Sequence, residues 1–401
     1  MDSDKTMTAI TCVQTLDDLT TERLLAIARQ RAGLDEFGND KFMRPLTVLL
    51  QAMREEAQLT QAGLRAQSER LINALVNRLR RTRFVHDNPS VLDEDVKVAA
   101  VIVGLPRTGS TMLQRLLAAA PSLTATCWWE TIYPMPLPGE DPNSREARIT
   151  LAEQLVAQIL ASADNFASIH PMDARAYDEE LTLIEHSFMS NMPESMMYVP
   201  SYGQWLLQAD QTWAYQELIL YLKILQFQHP RRRQQHWVLK SPHHLTAVDT
   251  LLQAFPAAQV IMTHRPITAV MPSWYSMVGA LSKADSAAEG LQVAQAKHWT
   301  WRLDKTLQGF IAARAGNESR FTDIGYRQLL SDPLAACSRI LESAGLALNE
   351  GDRAALSQHL QNNQRDQRPS HQYDLADYGM TQSTLEEQFG YYTQAYRAFL
   401  M

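Results

Sequence analysis

The sequence predicts an α/β fold built on a central parallel sheet, and three stretches carry that reading. "VKVAAVIVG" at 96–104, "HWVLKS" at 236–241 and "AQVIMTHR" at 258–265 are short and largely apolar. Strands covered on both faces have this composition. Helical patterns such as "HLTAVDTLLQAF" separate them, and strands alternating with helices build parallel sheets. The first of the three runs into "VIVGLPRTGSTMLQRLL", residues 101–117, which reads strand, glycine-containing loop, helix.

Before the first strand, residues 16 to about 84 carry apolar residues at three- and four-residue spacings, in "LLAIARQRAGL", "PLTVLLQAMREEAQL" and "SERLINALVNRLRRTR". These predict amphipathic helices, with "DEFGND" as a turn and "HDNPSVLDED" as a linker. We therefore divide the chain into a helical N-terminal region, 1–95, and an α/β domain, 96–401. A helix is expected from about Gly109 to Ala119. Residues 140–230 interrupt the alternation with further helical segments, a helical cap insertion. One of them, "TLAEQLVAQILASA", opens on an apparent capping box from Thr150 to Glu153. Met189, Met192, Met196 and Met197 lie beside Tyr198, Tyr202 and Trp205. Such a cluster lines an adaptable apolar pocket or fills an ordinary core.

Composition narrows the function classes. The 401 residues are 45% hydrophobic, enough for a substantial core, and the formal net charge is −7. Nucleic-acid binding requires a basic face, so none is expected; the runs "RLRRTR" at 78–83 and "RRR" at 231–233 read as solvated helix ends. The cysteines, Cys12, Cys127 and Cys337, are far apart and show no metal-ligand spacing. The acidic, polar start "MDSDKTMTAITC" is unlike a signal peptide, and no apolar run reaches the roughly 20 residues of a membrane span. A cytoplasmic protein is expected. Oligomeric state is not written in the sequence; a homodimer is the symmetric default.

The loop at 104–111 nearly completes the phosphate-binding pattern GxxxxGK[ST], with Gly104, Gly109 and Thr111 in register. Its amides and the following helix N-terminus suit an anion. Ser110 stands where a nucleoside triphosphatase carries lysine, and the nearby cation is Arg107. The strand "QVIMT" ends in His264 and Arg265, not in a metal-binding aspartate. The loop thus suits a phosphate-bearing ligand other than a metal-chelated triphosphate.

"PRTGST" at 106–111 also fits P-[KR]-[ST]-G-[ST]-T. Arg265 is followed eight residues on by Ser273, "VLKSPHHL" supplies Lys240 with His243 and His244, and "YRQLLSDP" supplies Tyr326. With these four features in order over about 101–335, the chain resembles sulfotransferases that use 3′-phosphoadenosine 5′-phosphosulfate, and bacterial small-molecule enzymes in particular. The resemblance implies a P-loop-like three-layer sandwich and transfer of a sulfuryl group to a hydroxyl of an apolar or amphipathic small molecule. It implies no metal requirement and adenosine 3′,5′-bisphosphate as product. Arg107, Thr108, Gly109, Ser110, Thr111 and Met112 would hold the 5′-phosphate, Arg265 and Ser273 the 3′-phosphate, and Tyr326 would lie near the adenine. The Arg-Lys-Gly loop of the cytosolic animal enzymes is missing, and Arg365, Arg368 and His371 are candidates to complete that site. Arg107 and Lys240 would neutralise the leaving group. For the base the resemblance points to Glu130, in "CWWETIYP", with a pKa raised by Trp128 and Trp129; His244 and His243 follow, then His170 and His186. The acids Asp178 to Glu180 read as cap or substrate-orienting residues. The rivals are a P-loop small-molecule kinase and a non-catalytic nucleotide-binding interaction protein.

Overall fold

Short apolar runs flanked by helices assemble as anticipated into one parallel sheet. The computed structural model describes residues 12–141, 144–162, 172–283, 285–363 and 374–401. The strands are β1 (Val98–Gly104), β2 (Leu123–Thr124), β3 (His236–Lys240), β4 (Gln259–His264) and β5 (Phe321–Gly325). They lie in the order β2-β3-β1-β4-β5, and every pairing is parallel. β1 leads towards β2 on one side, whereas β4 leads towards β5 on the other. The connections therefore diverge between β1 and β4, where α/β sheets open a crevice beyond the strand ends.

Two apolar layers cover the sheet. On one face Val101, Val103 and Leu239 pack with Leu218 and Leu222 of the helix Thr212–Gln228 and with Val270 of the helix Ile267–Lys283. On the other, Ile102, Val238 and Ile261 meet Leu113 and Leu117 of the helix Ser110–Ala118, together with Ile340. This three-layer α/β arrangement is the fold the sequence implied.

Two strands escaped the sequence reading. β2 has only two residues, too few for a pattern. β5, "FTDIG", buries Asp323 in mid-strand. Arg314 holds that carboxylate in a fork (2.7 and 2.7 Å), and His264 adds a bond of 2.8 Å. The capping box at Thr150 is also corrected. The helix begins four residues earlier, at Glu146, where the Ser144 hydroxyl accepts from the Glu146 amide (3.3 Å). Thr150 is thus inside the helix.

The N-terminal helices Thr21–Ala32, Met43–Glu56 and Gln61–Asp87 share an apolar core with Phe188, Met189, Met197, Tyr202 and Leu206. Met189, Met197 and Tyr202 are buried there as core, while Tyr198 lines a separate cleft. The basic run at 78–83 corrects another expectation. It lies inside a 27-residue helix, and Arg78 and Arg81 are buried. Both donate to Glu217 of the helix Thr212–Gln228, Arg81 at 2.6 Å. Asn39 reaches the other oxygen of that carboxylate (3.2 Å). Buried charges survive only when matched, so this cluster fixes the N-terminal helices against the α/β layers. Glu217→Ala leaves two guanidinium groups buried without their anion. It is expected to cost about 3–5 kcal/mol, read as a lower urea midpoint, whereas a change under about 0.5 kcal/mol would mean the cluster adds little.

Candidate active site

The loop between β1 and its helix is shaped by close backbone approach. Gly104 has φ +145°, and a Cβ there would lie 2.3 Å from the Thr263 hydroxyl on the neighbouring strand. Thr108 is buried; its hydroxyl donates to the Leu105 carbonyl (2.7 Å) and meets the Thr263 hydroxyl (2.7 Å). That hydroxyl thus staples the loop to β4. Gly109, φ +86°, caps the helix Ser110–Ala118, and a Cβ would sit 3.0 Å from the Tyr326 ring. Ser110 and Thr111 begin that helix, half-buried, and Met112 is exposed.

Four sequence-predicted residues converge on this loop. Arg107 adopts φ +68°, a left-handed conformation rare for a non-glycine residue. Its Nε donates to the Ser273 hydroxyl (2.9 Å), and its carbonyl accepts from Arg265 Nη1 (2.8 Å). The Arg265 guanidinium lies 4.6 Å from the centre of the Tyr326 ring. The backbone strain at Arg107 is thus tied down from β4's end and from the helix Ile267–Lys283. Such strain recurs at functional sites.

Lys240 closes β3 and is nearly buried, its Nζ 3.0 Å from Glu179 Oε2. The backbone of 126–128 pairs with 176–178: the Asp178 amide donates to the Thr126 carbonyl (2.8 Å), and the Trp128 amide donates to the Ala176 carbonyl (3.0 Å). That pairing carries Asp178, Glu179 and Glu180 to the carboxyl end of the sheet. Asp178 accepts from Arg115 (3.5 Å) and from the Glu179 amide (2.7 Å). Glu180 accepts from the Lys240 amide (3.0 Å) and is bonded to His244 Nε2 (2.7 Å). Burial raises the Glu179 pKa; Lys240 opposes the rise, and Asp178 and Glu180 add to it.

The residues expected as bases are differently placed. Glu130 is fully buried. Its two oxygens accept from the fork of Arg232 (2.8 and 2.8 Å), and Oε2 also caps the Cys127 amide (2.8 Å). Burial alone would raise its pKa, but the Arg232 charge and the bonds from His229 and Arg232 outweigh it and hold the group at about 2. The expected upward shift is therefore reversed. Arg232 belongs to the "RRR" run read as a solvated helix end; it is buried, and that reading is corrected too.

His244 has both ring nitrogens engaged, by Glu180 and by the Tyr215 hydroxyl (2.8 Å). His243 is bonded to Gln211 (2.9 Å) and to the Asn191 amide (3.3 Å), and burial, then the nearby His244 and Arg302, push its pKa well down. Burial beside Arg81 and Arg78 lowers His186 to about 3. All three are buried. His170, Arg365, Arg368 and His371 lie outside the described residues.

An open cleft of about 700 Å³ lies between residues 198–204 and the helix Leu291–Arg314, walled by Tyr198, Val293, Ala294, Lys297, His298 and Trp301. The same helix reaches the glycine loop, where Trp299 and Arg302 line a small recess with Pro106. Among the described residues, no helix is long and apolar enough to cross a membrane.

Comparison with known proteins agrees with this geometry. A sequence model of the sulfotransferase family matches residues 100–350. The crystal structure of sulfotransferase STF1 from Mycobacterium tuberculosis superposes with a TM-score of 0.81 at 32% identity, over 92% of this chain and 98% of that one. That of sulfotransferase STF9 from Mycobacterium avium gives 0.84 at 25% identity, over 99% and 98%. A comparison with curated proteins found no match. The loop with its strained arginine, the residues gathered on it and these likenesses lead to one conclusion: the chain belongs to the sulfotransferase family and is a transferase of that type.

Proposed function

We propose that the enzyme transfers a sulfuryl group from 3′-phosphoadenosine 5′-phosphosulfate to a hydroxyl of an apolar or amphipathic small molecule. One observation carries the choice of donor: Arg107, Arg265, Ser273 and Tyr326 meet on the glycine loop at the sheet's carboxyl end. Two guanidinium groups and a hydroxyl beside an aromatic ring suit a phosphorylated ribose next to an adenine. The loop amides at the start of the helix Ser110–Ala118 supply the site for the 5′-phosphate. Since Arg107 is hydrogen-bonded to Ser273, we assign it to the side of the 3′-phosphate. Lys240 then remains as the cation for the leaving 5′-phosphate.

Transfer forms a bond from the acceptor oxygen to sulfur and breaks the bond from sulfur to the 5′-phosphate oxygen. The electron pair stays on the phosphate, and the hydroxyl proton must pass to a base. Positioning and fixed charge supply most of such catalysis. The cleft at Tyr198 and Trp301 has the size and apolar lining of a small-molecule site, and we assign the acceptor's apolar part to it.

Calorimetry tests the donor. The protein should bind adenosine 3′,5′-bisphosphate well above AMP, and Arg265→Ala should weaken that binding by about 1.5–3 kcal/mol, the scale of a charged hydrogen bond. Equal affinity for the two nucleotides would sink the donor assignment.

In this reading Glu130 is a structural anion. Its folded pKa of about 2 lies below the ordinary 4.5, so its stabilisation is complete above pH 4.5 and is lost as pH falls through about 2. Glu130→Gln should therefore lower stability at pH 7 by about 3 kcal/mol, with the gap in urea midpoints closing as pH drops below 4.5. A variant of unchanged stability that had lost turnover would return Glu130 to the role of base.

A further inference from the structure

Of the three acids at 178–180, only the middle one has a side chain left for chemistry. Asp178 is held by Arg115 and by the Glu179 amide. Glu180 is fully buried and spent on the Lys240 amide and His244. These two anchors fix the backbone on either side of Glu179. Its side chain keeps 26% of its surface exposed, and its carboxylate makes one ion pair among the described residues, with Lys240, whose side chain is 5% exposed. The cation best placed for a leaving phosphate is thus neutralised by the one acid of the three whose side chain is only half-buried.

We propose that Glu179 masks Lys240 in the ligand-free enzyme, and that the donor's 5′-phosphate takes Lys240 over and releases Glu179 as the proton acceptor for the incoming hydroxyl. The exchange follows from charge. Two anions, the carboxylate and the phosphate, compete for one nearly buried ammonium, and the phosphate brings more charge and the loop amides with it. Once released, the carboxylate faces Asp178, Glu180 and the bound phosphate, with Arg115 occupied by Asp178. With Lys240 turned to the phosphate, the negative charges of Asp178, Glu180 and the phosphate favour its protonated form. During transfer the hydroxyl proton goes to the Glu179 carboxylate as the oxygen bonds to sulfur, and Lys240 meets the charge left on the phosphate. The base is thereby freed from Lys240 only when donor is bound.

Resting on the donor assignment above, the test uses adenosine 3′,5′-bisphosphate as probe and needs no acceptor. Glu179→Gln should bind it about two- to fivefold more tightly than the unmodified enzyme, the scale of losing a competing, partly screened ion pair. In a Lys240→Met background the same change should add little, since the two residues then have nothing to exchange. Calorimetry in two buffers of different ionisation heat should show proton uptake on binding near pH 6 that Glu179→Gln lacks, because release raises the carboxylate's pKa. Tighter binding that survives in the Lys240→Met background would reduce Glu179 to a distant charge and overturn the exchange. So would a Glu179→Gln enzyme that binds no more tightly. Identical proton uptake in the two proteins would remove Glu179 as the base. Failure of the unmodified enzyme to prefer the bisphosphate over AMP would instead refute the donor assignment itself.

Discussion

Everything at this site hangs on the close contact between the end of β1 and the end of β4. Gly104 and Thr263 are paired across the sheet, with no room for a side chain at 104. That contact lets the chain turn sharply while the Thr108 and Thr263 hydroxyls bond to one another. The turn delivers Arg107 in its left-handed conformation, where Arg265, two residues beyond Thr263, grips its carbonyl. Loop shape, cation placement and the start of the following helix are therefore consequences of one packing constraint. A larger residue at 104 would push the loop off β4 and disperse the group.

Around this centre the molecule buries several carboxylates and matches each with guanidinium. Glu217 meets Arg78 and Arg81, Glu130 meets Arg232, and Glu194 meets Arg302 (3.2 Å) and His298 (2.8 Å). Desolvation makes such pairs modest sources of stability, but removing one partner is costly. Their effect is to fix which segments can pack together. The Glu217 cluster seats the N-terminal helices, and the Glu130 pair ties the segment after β2 to the approach to β3. The Glu194 pair joins the segment near 194 to the helix that walls the cleft. Against this background the Glu179–Lys240 pair differs in that its cation is a lysine at the end of β3 and its acid is only partly buried.

Much of the residue group around the glycine loop was legible because it is local. Gly104, Arg107, Gly109, Ser110 and Thr111 sit in one turn, and the eight residues from Arg265 to Ser273 follow directly from strand to helix. The three apolar strands were equally plain, since burial on both faces forces an apolar run. β5 was missed for the opposite reason: its central Asp323 is neutralised by Arg314 and His264, which no local pattern reveals.

What the sequence by itself determined was the parallel α/β fold, the glycine loop after β1 and the order of the residues gathered around it. Only the tertiary structure decided which charges are free. Glu130 became a fixed anion because Arg232 arrives from 102 residues away. Arg78, Arg81 and Arg232 left the solvent because Glu217 and Glu130 were waiting inside, while Arg83, Arg231 and Arg233 of the same runs stayed exposed. The acids at 178–180 were divided into two anchors and one reactive candidate by partners from separate elements. A carboxylate's proton affinity depends on burial and on charges within a few ångströms. Periodicity along the chain records neither, so the chemistry of these groups is settled by long-range pairing.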